Sequence, residues 1–199
     1  MSDPSGERDP SEGPGAFTLE EAARRVGHSK WIELRLFEVL GGWVATVPEL
    51  DVKLQLATHA HHHAWHAELW HQRLPALREL HPERLTVPAN DELVAFLAAM
   101  SAPAAPEQTI EKLVGAYRVL IPRVVAAYVH HRRAASALTD APTIRSLGFI
   151  LQDDQADWRD GELLIQSLLR TPEDVRRAAE HQARLETLLL AAGGITGPE

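Results

Sequence analysis

Cysteine is absent from the 199 residues, and no uninterrupted apolar run approaches the length of about 18 residues that a spanning helix needs. The first absence excludes disulfides, thiolate metal sites and a cysteine nucleophile. The second, together with an N-terminal stretch without an apolar signal core, predicts no membrane partner and a cytoplasmic location by default. Glycine-rich phosphate loops are also missing, which argues against a nucleotide-dependent enzyme.

Basic residues are fewer than acidic residues in this chain. Lys and Arg number 20 against 28 Asp and Glu, which leaves a formal net charge of -8. The basic pairs Arg24-Arg25, Arg132-Arg133 and Arg176-Arg177 are scattered along the chain. Because binding to a phosphate backbone needs gathered positive charge, the sequence predicts no nucleic-acid partner.

The chain predicts one helical domain with polar ends. Residues 1–16 are rich in Pro, Gly, Ser and charge, and a disordered tail is expected there. A single domain is predicted over 17–192, followed by a flexible segment at 193–199. Thr18 and Glu21 have the spacing of a capping box, which opens a short helix that Gly27 is expected to end.

Helical periodicity dominates the domain. Apolar residues recur at helical spacing in six segments, and no convincing strand pattern occurs. The segments lie near 29–46, 50–80, 91–101, 107–138, 143–170 and 172–192. Short links near 46–48 and 139–143 predict two antiparallel hairpins, and residues 81–106 are long enough to cross the length of a bundle. The predicted fold is therefore an all-α four-helix bundle of two hairpins with a long crossover and short flanking helices.

The segment THAHHHAWHAELWHQ contains six histidines: His59, His61, His62, His63, His66 and His71. His59 and His62 are three residues apart and His62 and His66 four apart, so the three share one face of a helix. A second face around His61 remains an alternative inward face. His62 and His66 are favoured as ligands because their distance from the hairpin turn matches that of Glu33.

Inward positions on the other helices also carry polar residues. On the first long helix Glu33 lies among apolar residues, whereas Glu38 lies on the opposite side. The apolar neighbours of Glu33 are Leu36, Phe37, Leu40 and Val44. On the last long helix Asp154 is predicted to be enclosed by four apolar residues, with Asp157 at the margin and Asp153 pointing away. These four are Leu147, Ile150, Leu151 and Trp158.

The third long helix has its own inward stripe. It consists of Ile110, Val114, Tyr117, Ile121, Val124, Tyr128 and His131. A layer with several buried carboxylates needs protons, hydrogen bonds or a metal ion, because unpaired buried charge is costly.

Two stretches resemble a ferritin-like family common in actinobacteria, over roughly residues 30–170. They are RLFEVLGGWVATVPELDVKLQLATHAHHHAWHAELWHQRLP and DAPTIRSLGFILQDDQADWRDGE. The resemblance implies a four-helix bundle that often holds two iron or manganese ions. Such sites usually take a Glu from each of two helices and Glu-x-x-His from each of the others. This chain departs from that pattern. Its second long helix offers His59-x-x-His62 or His63-x-x-His66, its fourth offers Asp154-x-x-Asp157, and its third offers Tyr128 and His131 but no glutamate.

The expected metal ligands are Glu33, His59, His62, His66, His131, Asp154 and Asp157, with Tyr128 as a catalytic hydrogen-bond donor. This nitrogen-rich set suits one iron, manganese or zinc ion, or a degenerate site that holds none. The predicted function is a metal-dependent oxidoreductase that activates oxygen or peroxide for an unidentified small-molecule substrate. The alternative is a metal-free interaction scaffold. Leucines at 185–190 are compatible with capping the bundle or with a homodimer.

Overall fold

The computed structural model describes residues 17–75 and 80–197. Within these ranges the structure is helical and has no strand, which confirms the all-α prediction. The predicted tail at 1–16 lies outside the described residues. The helices are α1 (Leu19–Val44), α2 (Leu50–His71), α3 (Pro82–Leu85), α4 (Asp91–Ser101), α5 (Thr109–Leu113), α6 (Ile121–Ala134), α7 (Ala141–Leu168) and α8 (Pro172–Ala191).

Helix α1 is longer than the sequence predicts. The expected capping box is present: Thr18 Oγ1 accepts from the Glu21 amide, and the Glu21 carboxylate accepts from the Thr18 amide. The expectation that Gly27 ends this helix is wrong, because the helix continues to Val44. A Cβ at Gly27 would clash with the backbone carbonyl of Leu85, so glycine here serves the close approach of α3.

Helices α1 and α2 form an antiparallel hairpin. Near its turn, Lys53 Nζ donates to the Val44 carbonyl at 2.9 Å. At the other end, Lys30 Nζ lies 3.2 Å from His71 Nδ1. Helix α2 ends at His71 instead of reaching residue 80 as predicted. Pro75 follows shortly after, and proline disfavours helical backbone in the residue before it.

A second hairpin is made by the helical run 109–134 and α7. Arg118 holds Glu162 with two hydrogen bonds of 2.9 and 2.7 Å across this pair. The run 109–134 is parallel to α2, because His59 contacts Tyr117 near its start and Trp70 stacks on His131 near its end. Relative to α1, the four long helices therefore run up, down, down and up. The segment that carries α3 and α4 connects the end of α2 to the start of the run 109–134, which allows these two helices to be parallel.

The run 109–134 is not uniform. Val114–Leu120 is π-helical between α5 and α6, and Pro122 follows in the first turn of α6. A π turn widens the helix by one residue per turn, and proline removes a backbone donor. The predicted inward stripe of this run is buried at all seven positions, from Ile110 to His131.

The same run has the length and composition of a membrane span. Pro106–Ala134 passes a length and hydropathy test, but 61% of its apolar window is buried within the protein. That burial is typical of a helix in a protein core.

Helices α4 and α8 pack together over the outside of this run. The Asn90 side chain caps α4 through the Leu93 amide, and its Nδ2 donates to the Ala192 carbonyl at 2.9 Å. Helix α8 begins with a capping box between Thr171 and Asp174. Beyond α8 the chain folds back, and Ile195 is buried.

Two aromatic residues depart from their predicted faces. The sequence pattern places Phe37 beside Glu33 and Trp158 beside Asp154, but the exposed fractions of the two aromatic residues are 42% and 38%. Both lie at the margin of an inward stripe, where a large ring extends to the surface. The other three predicted neighbours of Asp154 are buried: Leu147, Ile150 and Leu151.

Candidate metal centre

Four fully buried side chains meet in the core of the bundle. Glu33 comes from α1, His63 and His66 from α2, and Asp154 from α7. One nitrogen or oxygen donor of each lies within 4.8 Å of a donor of every other. The structure therefore brings together Glu33, His66 and Asp154 from the predicted ligands, and it adds His63.

The local sequence of α2 explains which histidines point inward. The buried face carries a regular stripe with alternating spacings of four and three residues, a pattern that keeps side chains on one side of a helix. The stripe is Val52, Leu56, His59, His63, His66 and Trp70. His63 belongs to it, whereas the favoured His62 lies beside it and is half-buried. The alternative face around His61 is the solvent side, where Leu54 and Trp65 are exposed.

The donor atoms lie close to the spacing that ligands of one ion have. His63 Nδ1 lies 2.6 Å from Glu33 Oε2 and 4.0 Å from Asp154 Oδ1. His66 Nδ1 lies 3.5 Å from that Glu33 oxygen and 3.4 Å from that Asp154 oxygen. Ligands bound at about 2.1 Å stand about 3.0 to 3.4 Å apart in octahedral or tetrahedral sites. Shifts of less than an ångström or so would therefore place all four around one centre.

A second set of contacts orients the candidate ligands. Tyr128, predicted as a catalytic donor, is buried and donates through its hydroxyl to Glu33 Oε1 at 2.6 Å. His66 Nε2 lies 3.2 Å from Asp153 Oδ2. The prediction that Asp153 points away is therefore wrong. A carboxylate on the outer nitrogen of a histidine fixes its tautomer and turns the other nitrogen toward a metal.

Charges in this cluster are strongly coupled. Burial opposes ionisation of Glu33, but the nearby histidines His63 and His66 outweigh it and lower the Glu33 pKa to about 2. Burial also opposes protonation of His66, yet Asp154 and Glu33 raise its pKa to about 11. Burial, with the Glu33 charge, raises the pKa of Asp154. Without a metal, the centre therefore holds protons where a bound cation would replace them.

Several polar atoms of the cluster lack hydrogen bonds. Neither oxygen of Asp154 has a hydrogen-bond partner among the described residues, and the same holds for His63 Nε2 and His66 Nδ1. His66 Nδ1 approaches Asp154 Oδ1 to 3.4 Å but without hydrogen-bond alignment. A buried polar atom without a partner costs about 1 to 3 kcal/mol, so the arrangement needs a further ligand or a compensating role.

Three other predicted ligands form a neighbouring cluster. Asp157 accepts from His62 Nδ1 at 2.9 Å and lies 3.3 Å from His59 Nε2. His59 Nδ1 in turn lies 2.6 Å from the Tyr117 hydroxyl. These side chains lie about one helical turn from the four-residue centre, toward Tyr117, and do not join it.

His131 lies apart from both clusters. Its ring stacks on Trp70 with centroids 5.8 Å apart and meets the edge of Phe17 at 5.4 Å. Burial and the nearby Arg25 charge lower its pKa to about 4. His131 is therefore a neutral, packed side chain. It lies apart from the four-residue centre because it is about one helical turn beyond Tyr128 on the inward stripe.

No protein-family model, curated protein or solved structure matches this chain. The chemistry of the centre is therefore inferred from its own donor set. Two imidazoles and two carboxylates suit iron, manganese or zinc, whereas magnesium and calcium prefer oxygen alone. The structure thus presents a buried group that can hold one transition-metal ion, and it does not select among these metals.

Proposed function

We propose that this protein is a ferritin-like, metal-dependent oxidoreductase whose centre holds a single iron or manganese ion. The observation that supports it most is the convergence of four buried donors from three helices, with both Asp154 oxygens left without hydrogen bonds. A cation at this point would satisfy both carboxylates and both imidazoles at once. Zinc fits the same donors but supplies no redox chemistry.

The ferritin-like part of the proposal is supported by helix order and by the level of the centre. The four long helices run up, down, down and up, and a long connection lies between α2 and α5. Ferritin-like bundles carry their metals in the core with one long crossover. Here the third long helix supplies the hydroxyl of Tyr128 instead of a carboxylate ligand. A hydroxyl in place of this carboxylate ligand favours a site with one metal ion over a site with two.

The residues around the centre define its chemistry. A bound iron or manganese ion would supply the electron transfer that oxygen or peroxide activation requires. The Tyr128 hydroxyl oxygen lies 2.6 Å from Glu33 Oε1, and burial with the Glu33 charge raises the Tyr128 pKa, so the hydroxyl keeps its proton at neutral pH. The full burial of the four donors keeps bulk water away. We propose further that the substrate is a small molecule and that the reaction takes place in the cytoplasm.

A metal-free scaffold is the second candidate, and one observation favours it. Glu33 is already paired on both oxygens, by Tyr128 on one side and His63 on the other, each at 2.6 Å. Such a network can fix the packing of a core without a metal. The lack of hydrogen bonds at Asp154 favours the metal site.

Metal analysis of protein purified without a histidine tag and without chelators tests the proposal. We expect about one iron or manganese ion per chain, lost in Glu33→Ala and retained in Glu38→Ala, since Glu38 is exposed on the same helix. The iron(II)-loaded or manganese(II)-loaded wild type should consume peroxide faster than the zinc-loaded protein. If the wild type holds no metal after reconstitution and added metal ions do not change its melting temperature, the protein is a metal-free scaffold.

A further inference from the structure

A cavity of 570 Å³ opens beside the metal centre, between α1, α6 and the segment after α8. Its inner wall contains Ile32, Tyr128 and His131, all buried. Arg24 and Thr196 are exposed near its opening. The volume is in the range of small-molecule binding sites, which are commonly about 300 to 1,000 Å³.

Two cationic side chains of the cavity wall have no anionic partner among residues 17–75 and 80–197. Arg24 and Arg25 make no salt bridge with any described residue. The Arg25 guanidinium lies 4.4 Å from the ring centroid of Phe17, which supports the side chain, and its donors make no hydrogen bond within the part of the chain that the structure describes. Glu21 is the one carboxylate among the described residues of the wall, and it is already bound by the amide and hydroxyl of Thr18. The wall therefore carries an excess of positive charge.

Two histidines add neutral polar groups to this wall. Burial, together with the charges of Arg24 and Arg25, lowers the pKa of His28. Burial and Arg25 also lower the pKa of His131, to about 4. Neither imidazole makes a hydrogen bond with another described side chain of the cavity. At neutral pH both rings can donate to or accept from a ligand without adding charge.

The rest of the wall is apolar. Ile32, Ala127 and Ile195 contribute aliphatic surface, and Ile195 comes from the segment that Asn90 anchors through Ala192. An arginine pair matches the two oxygens of a carboxylate, and the aliphatic wall matches a hydrocarbon body. A free inorganic phosphate would leave that aliphatic surface uncovered.

We propose that this cavity binds a small organic carboxylic acid, with its carboxylate on Arg24 and Arg25 and its apolar body against Ile32 and Ile195. Tyr128 forms part of the wall and also donates to Glu33, so it separates the bound acid from the metal donors. The acid is thus placed beside the candidate centre. Binding does not require the metal, so this inference and the proposed oxidoreductase fail separately.

Calorimetric titration of the metal-free full-length protein tests the proposal, with benzoate as the probe and benzamide and inorganic phosphate as comparisons. We expect benzoate to bind at one site and to bind at least about tenfold more tightly than either comparison, since only benzoate has both the charge and the apolar ring. Arg25→Gln should weaken benzoate about tenfold or more. Arg35→Gln is the matched control on the same helix, because Arg35 pairs with Glu38 away from the cavity.

A second variant separates the cavity from general surface charge. Ala127→Phe keeps every arginine and fills the cavity, so it should abolish benzoate binding while the circular dichroism spectrum stays that of the wild type. Equal binding of benzamide would show that the charge is irrelevant, and equal binding of phosphate would show a plain anion site. Either result overturns the proposal, as does wild-type affinity in Arg25→Gln or the absence of benzoate binding at about 10 mM, where a Kd of about 1 mM would give near saturation.

Discussion

Tyr128 and Glu33 are joined by a hydrogen bond of 2.6 Å in the core, from the phenol hydroxyl to Oε1 of the carboxylate. The other oxygen of Glu33 faces His63 at the same distance. Glu33 is thus held from both sides before any ion binds. A ligand that is already oriented loses less entropy on binding, so this carboxylate is the best prepared of the four donors.

His63 and His62 provide the sharpest test of the ligand set. We expect His63→Ala to lower metal affinity by at least about a hundredfold, because it removes one of four converging donors. His62→Ala should change affinity by less than about tenfold, since its half-buried ring bonds Asp157 instead. Competition with a fluorescent metal chelator measures both. Equal loss from the two variants would mean that the neighbouring cluster also binds the ion.

Asp154 separates a metal site from an empty one through stability. In metal-free protein, Asp154→Leu should raise the free energy of unfolding by about 1 to 3 kcal/mol, because it replaces a buried carboxyl whose pKa is raised and whose oxygens lack hydrogen bonds. In metal-loaded protein the same change removes a ligand and should lower the melting temperature. Four melting curves, for both proteins with and without chelator, decide the matter. A mutant that is less stable than wild type in chelator would contradict this interpretation of Asp154.

Gly161 is predicted to be a packing requirement of the second hairpin. A Cβ at this position would clash with the ring of Tyr117, which is fully buried. We expect Gly161→Ala to lower the free energy of unfolding in urea by about 1 to 3 kcal/mol. Gly42→Ala in α1 is the control, because a methyl group at Gly42 would have no neighbouring atom within 4 Å. It should raise stability by about 0.5 to 1 kcal/mol, and a loss there similar to that of Gly161→Ala would refute the packing account.

His131 predicts a pH dependence. Its folded-state pKa is lowered from 6.5 to about 4, mainly by burial, so the unfolded chain binds more protons than the folded one between these two values. The stability contributed by the neutral ring is therefore complete above 6.5 and is lost as the pH falls toward 4, by about 2 to 3 kcal/mol at a pH of about 4.5. His131→Phe keeps an aromatic ring against Trp70 and should lose less stability between a pH of about 7.5 and one of about 4.5. Urea unfolding at both pH values measures the difference, and parallel losses would show that His131 does not titrate in this range.

The inward face of the third long helix can be predicted from the sequence because its two sides differ strongly. Apolar residues and tyrosines occupy one side, and Arg118, Arg123 and His130 occupy the other. Glu33 and Asp154 are predicted to face inward for the same reason, and both are fully buried. Periodicity decides a face when apolar and charged residues are cleanly separated.

Helix α2 lacks that separation, which is why its ligands are harder to predict. Histidine and alanine occur on several sides of it, and a shift from His62 to His63 is a rotation of only about 100°. The stripe from Val52 to Trp70 contains the missing signal, because its large apolar ends fix the face on which His63 and His66 lie. Asp153 differs from its predicted outward position for another reason: a partly exposed carboxylate can still turn toward a buried ring.

The cavity beside Tyr128 is built from residues far apart along the chain: Arg24 and Arg25 on α1, and Ile195 after α8. Ile195 is the last of these to be synthesised, so the wall of the cavity can be complete only after the residues of the four long helices have been made. The segment after α8 covers α1 and α6 on this side, and it is anchored where the side-chain amide of Asn90 donates to the Ala192 carbonyl. Binding of a ligand in the cavity would therefore report that the chain has folded up to Ile195.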